Sequence, residues 1–197
     1  FVIDGNDVTH TKSTFGSIVA ETNAWNGILE TKIGYSFMDA SRFNYSAGFA
    51  SFFSEGHRDK VSAVAAANLT TGDIRHRLTG AIDWKNESYQ NLPIGIATPL
   101  NDKRYLQDLG FVAEYTVNAG DFDAGVAVRA DENDRFRNAT TYRLQASYKL
   151  GDTRLRATAG TGIKNPTNFE LFGFDPASFI GNPALKAEKS TGWDVGM

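Results

Sequence analysis

Apolar and polar residues alternate with a period of two along most of this chain. Phe111, Ala113, Tyr115 and Val117 form one row against Val112, Glu114, Thr116 and Asn118. After Asn118-Ala119-Gly120-Asp121 the pattern resumes as Phe122, Ala124, Val126 and Val128 against Asp123, Gly125, Ala127 and Arg129. Tyr142, Leu144, Ala146, Tyr148 and Leu150 make the next apolar row, and Leu155, Ala157, Ala159 and Ile163 follow beyond Gly151-Asp152. Upstream, Val61 to Leu69 alternate, as do Ile74, Leu78, Ile82 and Trp84, and Leu29, Ile33, Tyr35 and Phe37 do so less cleanly. Successive residues of a strand point to opposite faces, so each run predicts a strand with one apolar face.

The connections alternate too. Short turns rich in Gly, Asp and Asn fall near 23–27, 70–73, 118–121 and 150–153, and longer stretches near 41–57, 90–105, 132–139 and 165–188. Short turns at one pole and long loops at the other predict an all-β, antiparallel up-and-down transmembrane β-barrel, here a partial barrel of about nine strands. A soluble β-sandwich shares the alternation. Two features favour the barrel: the strands run to about 12 residues, where a tilted crossing takes about 9 to 11, and the polar rows carry full charges, Asp83 with Lys85 and Arg154 with Arg156.

Composition changes this picture little. No apolar run is long enough for a membrane helix, and a mean hydropathy of -0.34 suits a barrel whose two faces average out. The 20 basic and 23 acidic residues are mixed, so no basic stripe points to nucleic acid. There is no cysteine, hence no disulfide or thiolate metal site. Phe1 opens without a signal peptide or initiator Met, which reads as a cut or processed piece.

The last 50 residues carry the most specific signal. A strand ends on Gly160-Thr-Gly162-Ile-Lys164-Asn-Pro166, the segment Glu170-Leu171-Phe172 comes next, and Gly181-Asn182-Pro183-Ala-Leu185 leads to Glu188 and Ser190. Prolines end extended stretches because they cannot donate to a ladder, and Gly-Asn tolerates turn geometry. In order and spacing this run resembles the late barrel region of TonB-dependent outer-membrane receptors. His76–Asn91 and Val126–Phe136 are similar to that family in style. Ala187 stands where the family often has Pro, and Asp194 where it often has Glu; neither departure alters the strand period.

The resemblance implies a barrel of about 22 strands closed by a plug, in the outer membrane of a Gram-negative bacterium. It implies a receptor, not an enzyme, that takes up a metal chelate such as siderophore-bound iron, or a cobalamin-like vitamin, with energy from the inner-membrane TonB complex. Residues 1–197 would be part of the barrel domain, without the plug, its coupling box or the closing C-terminal strands. The partners so implied are outer-membrane lipid, the small-molecule ligand and, through the plug, the TonB complex. No cofactor is expected. A partial barrel has two unpaired edges, which favours self-association of the isolated chain. Another outer-membrane barrel, adhesin or porin-like, stays open as an alternative.

Candidate ligand contacts are loop aromatics and one cation: Tyr89, Phe136, Arg137, Phe169, Phe172, Phe174 and Phe179, with Tyr105 beside them. Aromatic side chains can line a cavity for a large planar ligand, or else form an aromatic girdle at the lipid interface, the more natural reading of Tyr105 and Phe136. Lys164 and Glu188 flank the last loop and are placed to pair, and that loop either folds back over the rim or meets the ligand. His10, His57 and His76 are too scattered for a metal cluster, and no nucleophile motif is present. Asp131-Glu132-Asn133-Asp134 concentrates oxygen atoms but lacks the glycine and distal glutamate of a calcium loop.

Overall fold

The computed structural model describes residues 7–93, 102–175 and 179–197. Its main feature is one antiparallel sheet of nine strands, hydrogen-bonded in chain order. The strands are β1 (Val8–Ala24), β2 (Leu29–Ser46), β3 (Phe49–Thr71), β4 (Ile74–Pro93), β5 (Arg104–Ala119), β6 (Phe122–Asn133), β7 (Ala139–Leu150) and β8 (Thr153–Lys164). Between β8 and the last strand lie α1 (Asn168–Phe172) and a small hairpin of β9 (Phe174–Asp175) and β10 (Phe179–Ile180); β11 (Glu188–Gly196) then pairs with β8.

Register puts the alternation of every strand in phase. One row of cross-strand partners runs Ala24, Leu29, Ala67, Leu78, Tyr115, Val126, Leu144, Ala159 and Trp193 from β1 to β11. The adjacent row on the opposite face runs Asn23, Glu30, Ala66, Thr79, Glu114, Ala127, Arg143, Gly160 and Gly192. A register slip of one residue on any strand would exchange these faces, so the pattern fixes the pairing. The apolar face leaves Leu78 at 56% and Trp193 at 78% exposure. An apolar surface so extended requires a non-aqueous cover, and a membrane barrel turns it to lipid.

Three of the tight turns share one construction. Gly72-Asp73, Gly120-Asp121 and Gly151-Asp152 each join two strands, with φ at the glycine of 59°, 62° and 60° and no positive φ at the aspartate. A left-handed first turn residue is the II′ hairpin pattern, which matches strand twist and is strained for any residue with a Cβ. The remaining turn at this pole is a 3-10 turn over Trp25–Gly27.

At the other pole the expected long loop over 41–57 is absent. β2 and β3 instead continue into it and close through Ala47-Gly48, with φ of 50° and 82°. At 23 residues β3 is more than twice the length a tilted crossing takes, about 9 to 11. The projecting part pairs residues such as Phe43 with Phe53, whose rings lie 4.4 Å apart, beside a bulge at Asn44/Tyr45. Its sequence reads as loop because neither of its faces keeps an unbroken apolar row. On the outer face the change comes just past Tyr35: its hydroxyl donates to Asp59, and His57 joins Asp59 and Asp39, each contact at 2.7 Å. The expected loop over 132–139 reduces to 134–138, and much of 90–105 lies outside the described residues.

A single sheet has no interior of its own. Among the described residues the buried apolar cluster is Leu106, Leu171 and Phe172, with Tyr89 and Phe136 packed against it. It lies at the long-strand pole, where the segment after β8 meets the polar face of the sheet.

Candidate functional site

The polar face of the sheet is a lattice of ion pairs. Arg58 on β3 meets Glu87 on β4 at 2.5 Å, Lys85 meets Glu87 at 3.2 Å and Asp108 on β5 at 2.8 Å, and Asn133 on β6 donates to Asp108. Arg129 on β6 spans to Asp83 on β4 with two hydrogen bonds of 2.8 and 3.1 Å and holds Asp131 at 2.6 Å. Towards the Gly-Asp turns, Arg77 binds Glu30 at 2.7 Å and Arg154 binds Asp123 at 2.8 Å. Such partly exposed pairs contribute little stability each. Their effect is to cross-link four neighbouring strands, β3 to β6, on the polar face, with β2 and β8 tied in through Glu30 and Arg154.

The segment after β8 is bound to this wall at several points. Thr167 and Glu170 form a capping box: the Glu170 amide donates to Thr167 Oγ1 at 3.2 Å, and the Thr167 amide donates to Glu170 Oε2 at 2.7 Å. The Thr167 amide and hydroxyl both donate to the Glu170 carboxylate, which holds it below the usual glutamate range. α1 thereby points Leu171 and Phe172 at the wall, where they are 0% and 3% exposed. Arg104 and Arg135 place their guanidinium groups 5.3 and 4.7 Å from the centre of the Phe172 ring. Arg135 also donates to the Pro183 carbonyl at 3.0 Å, so the loop between β6 and β7 clasps the one after β8.

Asn91, near the end of β4 and 0% exposed, completes the attachment. Its amide nitrogen donates to the Phe174 carbonyl at 3.2 Å, and its oxygen accepts from the Phe174 amide at 3.3 Å and the Tyr89 hydroxyl at 3.0 Å. A side-chain amide here imitates a strand partner for β9.

The motif residues now acquire structural reasons. A Cβ on Gly181 would lie 2.7 Å from the Leu171 backbone, and the next amide, Asn182, donates to the Glu170 carbonyl at 2.9 Å. Asn182 Oδ1 accepts from the Ala184 amide at 2.9 Å, which turns the chain through Pro183 towards Leu185. A Cβ on Gly160 would press on the Tyr142 carbonyl at 2.8 Å, and one on Gly162 on Ser190 Oγ at the same distance. Lys164 and Glu188 are cross-strand partners, as their positions suggested, but the Lys164 ammonium lies 3.8 Å from Glu170. Pro166 sits one residue before the capping threonine, where an extended chain is needed.

The candidate contact residues fall into groups. Phe169 and Phe179 stack at 4.7 Å and 10°, with Phe169 43% exposed. Tyr89, Phe136 and Phe169 line a crevice of about 370 Å³ between α1 and the wall. Arg137 lines a neighbouring hollow of about 500 Å³ with Lys60, Arg129 and Asp131. Phe172 is buried in the clasp, and Phe174 is held by its backbone. Of the two aromatics read as girdle, Tyr105 is 61% exposed on the outer face, whereas Phe136 packs inward on the buried cluster. In the acidic run Asp131 is taken by Arg129, and Asp134 Oδ1 accepts from the Gln107 amide at 3.1 Å. Among the described residues no group of three His, Cys, Asp or Glu side chains could hold a metal ion. Asn91, Arg104, Arg135 and Leu106 went unnoticed in the sequence, although Asp83-Trp-Lys85-Asn-Glu87 already spells opposite charges on one face.

Residues 4–197 match the model of the family described as TonB dependent receptor-like, beta-barrel. The chain is 29% identical over 121 residues to the vitamin B12 transporter BtuB of Photobacterium profundum, a match that covers 61% of this chain and 18% of that protein. Among solved structures, the siderophore receptor PirA from Pseudomonas aeruginosa superposes with a TM-score of 0.80 at 15% identity, over 96% of this chain and 36% of that one. BauA, the ferric preacinetobactin receptor from Acinetobacter baumannii, gives 0.64 at 12% identity over 96% and 35%. At such identities the likeness is one of fold. The chain spans about a fifth of the curated relative's length and about a third of each solved receptor. By the family model, and with a sheet built as those barrels are, this chain belongs to the TonB-dependent receptor-like β-barrel family.

Proposed function

We propose that the chain is part of the barrel of an outer-membrane receptor that imports a metal chelate or a cobalamin-like nutrient, with energy from the inner-membrane TonB complex acting through a plug. The observation that carries this reading is the division of the sheet: an unbroken apolar row from Ala24 to Trp193 on one face and a cross-linked ionic wall on the other. That arrangement suits a tilted wall between lipid and a wet lumen. The names of the relatives, a vitamin B12 transporter and siderophore receptors, supply the ligand classes. The outer membrane of a Gram-negative bacterium is the location this family implies.

In this reading the long-strand pole faces outward, and Phe169, Phe179, Tyr89, Phe136 and Arg137 meet the ligand there. Phe172 and Phe174 act by holding the loop in place. Deleting the gene and supplying vitamin B12 or defined ferric siderophores as the sole source tests it. The expected result is loss of growth on one of these and recovery with the intact gene; unaltered growth on all of them would count against the proposal.

A further inference from the structure

On the outer face the β2–β3 hairpin does not stay polar to its tip. Above the apolar rows a polar band crosses it, with a hollow of about 280 Å³ lined by Lys12, Asp39, Ser41, Glu55, His57 and Lys103. The charges of the band balance. His57 presents both ring nitrogens to carboxylate oxygens at 2.7 Å, which takes an imidazolium, because a neutral ring carries one N–H. Lys12, Lys103 and His57 thus face Asp39, Asp59 and Glu55, with Lys103 3.5 Å from Glu55. Above the band four rings return on the same face. Phe43 and Phe53 lie 4.4 Å apart, His10 meets Tyr45 edge to face at 5.7 Å, and His10 is the cross-strand partner of Phe43. Phe43 stays 40% exposed. An aromatic ridge kept at a surface marks a place where something docks.

Height decides what docks there. From Phe37, the last apolar side chain of β2 before the band, to Phe43 the strand advances about 20 Å at about 3.4 Å per residue. At a tilt of about 40° that is about 15 Å along a barrel axis. The headgroup layer of a phospholipid bilayer is about 5 to 8 Å deep on each side. In an outer membrane, phospholipid headgroups would therefore end within the band, and the rings would stand in a layer that a long saccharide headgroup can fill. We propose that the outer face of this hairpin is a docking site for the oligosaccharide headgroup of an outer-leaflet glycolipid. Its hydroxyls exchange hydrogen bonds with the band, and the C–H faces of its sugar rings stack on Phe43 and Tyr45, whose rings present a negative face. A band with donors and acceptors in equal measure suits hydroxyl groups, each of which donates and accepts, whereas a bare anion would meet as many carboxylates as cations. The site lies on the face away from the lumen, so it shares with the uptake reading only the outer-membrane location.

The test is native mass spectrometry of the full-length receptor in detergent micelles, titrated with two lipids. One is rough lipopolysaccharide carrying its core oligosaccharide, and the other is lipid A, which lacks the core. The core-bearing lipid is expected to bind tenfold or more tightly. Phe43→Leu/Tyr45→Leu keeps apolar bulk without a flat ring and is expected to erase that preference. Phe43→Tyr/Tyr45→Phe keeps both rings and is expected to hold it within threefold, which preserves a reading should the leucine pair disturb the hairpin. Equal binding of the two lipids, native preference in the leucine variant, or loss in the ring-keeping variant would overturn the site. So would a receptor dimer in the same spectra that the leucine variant abolishes, since the ridge would then join two copies. None of these outcomes bears on uptake, which growth on the ligand source tests separately. A receptor absent from the outer-membrane fraction would overturn both.

Discussion

Arg129 reaches Asp83 by passing over Gly110. The three belong to β6, β4 and β5, and a Cβ at position 110 would collide with the guanidinium group. Gly110 is thus the gap through which one arginine ties together strands that are not neighbours. Its absent side chain is what lets Asp83, Arg129 and Asp131 form one unit.

Gly110→Val is accordingly expected to destabilise the native receptor by about 1–2 kcal/mol, in the usual range for a point change that breaks a network. In an Arg129→Ala background the same substitution should be neutral or stabilising, since valine is a good strand residue. A double-mutant cycle on urea midpoints measures the coupling. Additivity within about 0.3 kcal/mol would show that Gly110 and Arg129 are independent.

Asn91 makes the second prediction. Asn91→Leu leaves the Phe174 amide and carbonyl without their partner, a loss of about 1–3 kcal/mol for buried groups. Because the cost falls on the segment after β8, the expected phenotype is faster proteolytic cutting within 165–187 with the barrel still heat-modifiable. Unchanged cutting would mean that the clasp through Phe172 suffices alone.

Glu170 gives the loop a pH dependence of definite sign. Its folded pKa lies below the ordinary 4.5, so its stabilising effect is fully present above pH about 4.5 and fades as pH falls through the lower folded value. A spin label replacing Lys186 should report a mobile loop in strong acid and an ordered one from pH about 5 upward. Glu170→Gln should flatten this profile, and Thr167→Ala should loosen the loop by about 1 kcal/mol at neutral pH. A profile unaffected by Glu170→Gln would assign the transition to another group.

The isolated chain should associate. Among the described residues β1 and β11 each pair on one side only, and the 17 residues of β1 present a long row of backbone donors and acceptors. Light scattering of residues 1–197 in detergent should show mass rising with concentration. A monomer at every concentration would contradict this.

Much of this architecture was legible from alternation. Tyr115, Val126 and Leu144 mark their strands and faces at once, and the three Gly-Asp pairs mark the tight pole. The extensions of β2 and β3 were not legible, because neither of their faces keeps an unbroken apolar row. Phe43, Tyr45, Phe52 and Phe53 therefore read as an aromatic loop. In the last loop Glu170-Leu171-Phe172 and Gly181-Asn182-Pro183 stood out as motif, but their reasons are long-range. Leu171 and Phe172 are buried by Leu106 on β5, and β9 is held by Asn91 on β4, 83 residues before Phe174. Hydrophobic periodicity carries no signal for a contact of that kind.

The central claim, that one face of this sheet meets lipid and the other a wet lumen, can be read at adjacent residues. This chain has no cysteine, so once any cysteine elsewhere in the receptor is replaced, single nitroxide labels can be placed at each of positions 142–148 in a bilayer. Accessibility to oxygen should peak at Tyr142, Leu144, Ala146 and Tyr148, and accessibility to a water-soluble nickel chelate at Arg143, Gln145 and Ser147, with a period of two. Equal accessibility of Arg143 and Leu144 to both reagents would contradict the account.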